Sequence, residues 1–305
     1  MYLYIDKDFA VEFESNLRFH NQVDYPVEHD VNSRLCQIFT RYAGLSIYSD
    51  VLFEELKTYF VFRQIVNINT KFSSKDSFIS WLSKSNNDIP VLALTGSDNS
   101  ILESVRSSNG LVFTSENYIL ELSKIFNHEK SIRFTELNNK FSWSQLKPSL
   151  NWQTSSMVLV DNFILLNGGK INANLKPLLR SISSNRSVKK FKVLVNRDEY
   201  RQNRRADCPI DFSDVENDME DFINEIDADL SFEIKQYSRS NSKYDLHDRR
   251  LYMRYAIIEI GKGFDLLPVE ANKFTDRKIQ ISTIFTKDTH DDFRVFYKGI
   301  ENLLQ

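Results

Sequence analysis

The chain has 305 residues, 41% of them hydrophobic, and a formal net charge of −3 at pH 7; that is length for about two domains with real cores, and no whole-molecule field for drawing in a polyanion. Two cysteines, Cys36 and Cys208, lie far apart and outside any CxxC or Cys/His cluster, which excludes a disulfide framework and structural zinc and points to a reducing cytoplasm. Neither a signal peptide nor a membrane-spanning run is expected, and the absence of GxGxxG and GxxxxGKS/T loops sets aside dinucleotide and P-loop chemistry.

The first half alternates strand-like and helix-like segments. YLYI at 2–5 predicts a strand, NSRLCQIFTRYAGL at 32–45 a helix, and SIYS at 46–49 a strand that leads into VLFEELKTYFVFRQI at 51–65 and then SKDSFISWLSK at 74–84. PVLALTG at 90–96 and LVFTS at 111–115 predict further strands, each followed by a helix, NSILESVRS and ENYILELSKIF. Alternation of this kind predicts an α/β layered domain with a largely parallel sheet. Residues 127–153 have no clean period, and the domains are expected to run 1–139 and 140–305. The second series is α/β again. It comprises the strand SMVLVDNFIL at 156–165, the helix ANLKPLLRSI, the strand KFKVLV, an arginine-rich loop, and the acidic helix VENDMEDFINEIDAD. The strand LSFEIKQYS, the stretch LHDRRLYMRYAIIEIGKGFDLL at 246–267, the strand KIQISTIF and a C-terminal FRVFYKGIENLL complete it.

Strands of a parallel sheet end along one edge, where acidic residues at strand ends or in the next helical turn can converge. Asp6 ends the first strand, Glu55 lies after the second, Asp98 follows PVLALTGS, and Glu116 follows LVFTS. Oxygen ligands of this kind suit Mg²⁺ or Mn²⁺, which can activate a water for attack on a phosphodiester. Asp8, Asp50 and Glu103 compete for the same cluster. Capping and the helix dipole, each worth about 0.3–1 kcal/mol, also place acids at helix starts without any catalytic role. By that reading Asp98 and Glu116 are caps, and Glu54 and Glu55 a solvated face.

In their order, YLYID, SIYSDVLFEELK and SDNSILESVRSSNGLVFTSEN resemble a PIN-like nuclease domain over roughly residues 1–130. The resemblance implies metal-dependent cleavage of nucleic acid, with Asp6, Glu55, Asp98 and Glu116 as catalytic carboxylates and Asp6, Asp98 and Glu116 holding the metal. The chain departs from the family pattern at Asp6-Lys7-Asp8, where Asp-x-Asn or Asp-x-Ser is usual, and at Glu116, where the family has Asp.

In the stretch 246–267, His247 and Arg249 have the shape of the His-x-Lys pair of phospholipase-D-like domains, with Arg254 where that motif's aspartate falls. The His247-Asp248-Arg249 start and the run Gly261-Lys262-Gly263-Phe264-Asp265 resemble the phospholipase-D-like C-terminal domain of MIT-domain-containing proteins, over roughly residues 145–305. That implies anion or membrane-surface binding rather than hydrolysis. A tight turn around Gly261 and Gly263 is expected to bring Lys262 to the sheet edge, where it joins His247 and Arg249 in gripping phosphate oxygens. Arg204 and Arg205, in the basic segment NRDEYRQNRRAD, are further anion-binding candidates, although charge runs of this kind also read as solvated surface. Trp81, Trp143 and Trp152 show no stacking-platform spacing and read as core or interface residues.

Three functions follow as alternatives. The first is a metal-dependent nuclease whose second domain binds anions, nucleic-acid backbone or a protein partner, in the manner of a microbial defence protein. The second is a non-enzymatic module that recognises phosphorylated ligands or an anionic membrane surface. The third is a metal-independent phospholipase-D-like phosphodiesterase that uses His247 across a homodimer.

Overall fold

The structure, a computed structural model, describes residues 1–20, 22–59, 61–64, 71–84, 89–96, 99–108, 110–134, 142–146, 154–166, 168–203, 212–226, 229–238, 249–261, 263–264 and 277–304. The chain divides into two compact units, Met1–Asn127 with Thr283–Asp291, and His128–Ser282 with Asp292–Gln305. Both are α/β. No helix among the described residues is long and apolar enough to cross a membrane.

The first unit is built on five parallel strands, β1 (Tyr2–Ile5), β2 (Ser46–Ser49), β3 (Lys71–Ser74), β4 (Val91–Thr95) and β5 (Leu111–Thr114), in the order β3-β2-β1-β4-β5. Helices cover both faces, which is why β4 reads as an unbroken buried run rather than an alternation. On one face Tyr4, Val91 and Ala93 pack against Phe78 and Leu82 of α4 (Lys75–Lys84) and Ile101 and Val105 of α5 (Asn99–Ser107). The pleat turns the alternate residues Leu3, Ile5, Leu92 and Leu94 the other way. The remaining long helices, α1 (Lys7–Phe19), α2 (Pro26–Arg41) and α6 (Tyr118–Phe126), bring in Phe9, Phe13, Phe39 and Tyr118, whose rings meet at 5.1 to 6.1 Å.

Local chemistry sets where these helices begin and end. Helix α2 starts well before residue 32 because Pro26 stands at its first turn, where a missing N–H costs nothing. After β2 the described residues form α3 (Phe53–Leu56) and a 3-10 turn at Phe62–Gln64. Side chains compete for the carbonyls there: the Thr58 hydroxyl donates to Glu55 O, and the Arg63 guanidinium donates to Lys57 O and Thr58 O. The segment Thr283–Asp291 completes the unit. Tyr42 Oη donates to Ile284 O at 3.1 Å, the Tyr42 ring stacks on His290 at 4.4 Å, and Phe285 meets Phe126 edge-on at 5.6 Å.

The second unit holds a mixed sheet of seven strands, in the order β6-β12-β11-β10-β7-β8-β9. These are β6 (Lys130–Phe134), β7 (Ser156–Val160), β8 (Lys190–Asn196), β9 (Ser231–Tyr237), β10 (Arg250–Met253), β11 (Ala256–Ile260) and β12 (Arg277–Thr283). β7, β8 and β9 are parallel, whereas β10 runs antiparallel to both β7 and β11. Its core joins Met157, Phe191 and Val193 of the sheet to Leu178, Leu179 and Ile182 of α7 (Lys176–Ser183) and, past α8 (Arg197–Asn203), to Met219 and Phe222 of α9 (Ser213–Glu225). Tyr252 stacks on Phe296 of α10 (Lys287–Leu304), with ring centroids 3.5 Å apart.

Three expectations change here. The strand from 156 stops at Val160 because the next carboxylate, Asp161, takes the N–H groups of Phe163 and Ile164 and turns the chain. The supposed arginine-rich loop opens as helix α8, whose first free N–H groups, those of Asp198 and Glu199, are capped by Asn196 Oδ1 at 3.0 and 3.2 Å. Finally, the strands of 246–267 are joined at Arg254–Tyr255, not at the glycines, which follow the second strand.

Candidate functional site

In the first unit the chain runs β1, β2, β3 to one side and returns to β4 on the other side of β1. The crevice past the ends of β1 and β4 is therefore the switch point, where open parallel sheets bind ligands. Asp6 lies in it, buried. Its Oδ1 accepts the N–H of Phe9 at 2.8 Å, which caps α1, and both its oxygens accept the N–H of Gly96, at 3.0 and 2.9 Å. The Thr95 hydroxyl donates to Oδ2. The first turn of α1 thereby rests on the end of β4, so closely that a Cβ at Gly96 would stand 2.5 Å from Asp8 Cβ. Only glycine permits that approach.

Asp50 follows β2 at the same edge, beside Ser49, whose hydroxyl donates to Ile5 O at 2.6 Å. Its carboxylate accepts the Lys7 N–H at 3.2 Å. Burial raises the Asp50 pKa above the ordinary carboxylate range, and the charge of Asp6 adds to the shift. Two carboxylates at the ends of neighbouring strands thus feel each other along this edge. The Lys7 ammonium is turned instead to Glu55 at 3.0 Å, and that contact raises the lysine's pKa.

Of the carboxylates expected at this site, Asp6 and Glu55 come to one edge, with Lys7 held against Glu55. Glu116 is exposed just past β5, two strands from β1. Asp98 lies outside the described residues. Asp8 and Asp50 border the crevice, and Glu103 is exposed on α5. Among the described residues no three His, Cys, Asp or Glu side chains form a group that could hold a metal ion.

The second unit repeats the arrangement. Its chain lays β7, β8 and β9 to one side and returns to β10 on the other side of β7, so its switch point is past the end of β7. Asp161 stands there as Asp6 does after β1, buried, with Oδ1 accepting from Phe163 N at 2.7 Å and Ile164 N at 3.2 Å. Its Oδ2 accepts the N–H of Phe264 at 2.6 Å and so fastens the chain after β11 to the end of β7. Gly263, at φ +101°, makes this possible: a Cβ there would meet Asp161 Oδ2 and the Arg249 side chain at 3.0 Å. The Arg249 guanidinium lies over the Phe163 ring at 4.3 Å and makes no ion pair among the described residues. Arg250 differs. It is neutralised by Glu259 at 2.8 Å and Asp292 at 3.3 Å.

Asn162 and Asn196 extend this edge. Asn162 Oδ1 accepts the Asn196 N–H at 2.6 Å, and its amide donates to Glu199. His247, Lys262, Arg204 and Arg205 lie outside the described residues, as does Trp152. Trp143 is buried and stacks on Phe264 at 6.0 Å, whereas Trp81 stacks on Tyr2 at 3.8 Å. Asp161 was not singled out in the sequence, although an acid directly after an apolar strand is the pattern that marked Asp6. Comparison with protein-family models, with curated proteins and with solved structures finds no match to this chain.

Proposed function

We propose that the first unit is a divalent-cation-dependent phosphodiesterase acting on nucleic acid at its switch-point edge, and that the second is a degenerate phospholipase-D-like domain that binds anionic groups or a partner. One observation carries the reading. Asp6, at the switch point, and Asp50, beside it, end neighbouring parallel strands along one sheet edge, and the charge of the first raises the proton affinity of the second. A hard cation relieves that repulsion. All-oxygen donors suit Mg²⁺ or Mn²⁺, with Asp98 after β4 as the next donor in the family order and Glu116 beyond it. When bound, such an ion polarises the phosphate and activates water.

The chain's own residues divide the remaining work. Phe9, Thr95 and Gly96 hold the Asp6 carboxylate in one orientation. Lys7 can leave Glu55 for a phosphate oxygen, since both partners of that pair are roughly half exposed and solvent screens their attraction. In the second unit, Arg249 offers a guanidinium fork for the backbone. The fusion of such halves fits a microbial defence role, an argument from association alone.

The test is Mn²⁺ binding by calorimetry, and Mg²⁺- or Mn²⁺-dependent cleavage of single-stranded RNA and DNA, by the parent, Asp50→Asn and Asp98→Asn. The expected result is that both variants keep their fold, bind Mn²⁺ more weakly and lose cleavage. Parental binding and cleavage in both would end the reading. A second reading, a non-enzymatic module for phosphorylated ligands or anionic membrane, draws on the saturation of Asp6 by donors and on the unpaired state of Arg249 among the described residues. It requires no cleavage by the parent, together with loss of vesicle or phosphate binding in Arg249→Ala. EDTA-resistant cleavage abolished by His247→Ala would instead establish the metal-independent phosphodiesterase.

A further inference from the structure

We infer that the cleft between α1 and α2 of the first unit is a binding site for a small organic anion with an apolar body, separate from the switch-point edge. The two helices are tied to one hydroxyl: Asn16 donates to Tyr118 Oη at 3.0 Å, and Tyr118 Oη donates to Asn32 Oδ1 at 2.8 Å. Their core faces, Phe9 and Phe13 on α1 and Leu35, Ile38 and Phe39 on α2, are thereby fixed. The adjoining faces leave a cleft of about 540 Å³. That lies within the span of small-molecule sites, about 300–1,000 Å³, and the tied helices preform it.

The lining selects the ligand's chemistry. Glu14 is neutralised by Arg18 one turn further along α1, while Arg41, exposed in the last turn of α2, makes no ion pair among the described residues. Among these lining residues two guanidiniums stand against one carboxylate, and a guanidinium fork such as that of Arg41 suits a carboxylate, sulfonate or phosphate monoester. Gln37 adds a hydrogen-bonding side chain, and Val61 with the Cys36 thiol gives a soft apolar wall for the ligand's body. Since α1 starts at the strand-end edge with Asp6 as its cap and runs back along the sheet, Glu14 and Arg18 lie in its far half. A ligand in the cleft therefore does not compete for the switch-point crevice.

The probe for the test is 8-anilinonaphthalene-1-sulfonate, an aromatic body with one sulfonate, added to the full chain carrying Cys208→Ser so that thiol labelling reports on Cys36 alone. A fluorescence titration is expected to saturate at one probe per chain. The bound probe is expected to slow maleimide labelling of Cys36 at pH 9, read by intact mass. Arg41→Glu is expected to weaken binding about 10-fold or more, the factor that one charge-assisted contact carries. Gln37→Trp, which fills the cleft, is expected to abolish saturable binding while the thermal unfolding profile stays intact. Probe binding that is absent, that leaves Cys36 labelling unchanged, or that survives both substitutions would overturn the inference.

Discussion

The two glycines of Gly261-Lys262-Gly263 are alike in sequence and unlike in the structure, and substituting each by alanine separates the two roles. At Gly261 a Cβ would meet nothing within 4 Å. Gly261→Ala is therefore expected to change stability by no more than about 0.5 kcal/mol, as surface substitutions usually do. Gly263 has φ +101°, and its Cβ would stand 3.0 Å from Arg249 Cδ, Arg249 Nη1 and Asp161 Oδ2. The backbone alone penalises an L side chain there by about 1–2 kcal/mol. The arginine can swing aside, but Asp161 cannot do so without loosening its 2.6 Å contact with Phe264 N, a hydrogen bond to a charged group worth about 1.5–3 kcal/mol. Gly263→Ala should thus destabilise the second unit by about 2.5–5 kcal/mol. Urea unfolding followed by tryptophan fluorescence measures it, because Trp143 stacks on the ring of Phe264. If the two variants unfold at the same urea concentration, Asp161 does not fasten the chain after β11 in the way described.

Asp6→Ala removes the cap of α1 and the acceptor for Gly96 and Thr95 together, and should cost about 2–4 kcal/mol in the same assay; a loss below that of an ordinary cap would contradict the bonding described. Glu55→Gln breaks only the exposed pair with Lys7 and should leave the thermal melting profile nearly unchanged; a clear drop in melting temperature would contradict a solvent-screened pair. Burial pushes the Cys36 thiol up to about 11 from 9.0. The folded state therefore holds that proton more tightly than the unfolded chain, so stability is full below pH 9 and declines as pH rises from 9 toward 11. Cys36→Ala should remove about 2 kcal/mol of that alkaline decline between pH 8 and pH 10.5, measured as the difference between the two proteins' urea midpoints at those pH values.

The strands that lie inside the two sheets were plain in the sequence, since β1, β4, β7 and β8 are buried on both faces and carry apolar runs that only a covered sheet needs. β3 and β6 were not. Both are edge strands, KFSS and KSIRF, short and without the apolar run of a covered strand. The acid ending the first strand was legible for the same reason as the strand itself. What no local pattern could disclose is how Asp6 is used, because its partners Thr95 and Gly96 are about ninety positions away. Likewise spacing alone singled out Glu55, but the direction of its carboxylate was decided by Lys7, a neighbour only in the folded unit. The place of the turn in 246–267 was misjudged because glycines usually mark hairpins. Here the pairing of Met253 with Ala256 leaves Gly263 to solve a different problem, the close passage of backbone past Asp161 and Arg249.

The return of Thr283–Asp291 to the first unit constrains how the protein can be made. Five strands and their helices are in place once residue 127 has been synthesised, yet Tyr42 and Phe126 then still lack Ile284, Phe285 and His290. Those partners arrive only after every strand of the second sheet has been produced. Closing the intervening loop of about 155 residues carries an entropy cost that grows only logarithmically with length, so the delay is one of order rather than of energy. During synthesis the first half waits with an aromatic seam open to solvent, the kind of surface that holdase chaperones bind. A fragment ending at residue 139 would keep that seam open permanently, so the halves cannot be exchanged between proteins like beads on a string.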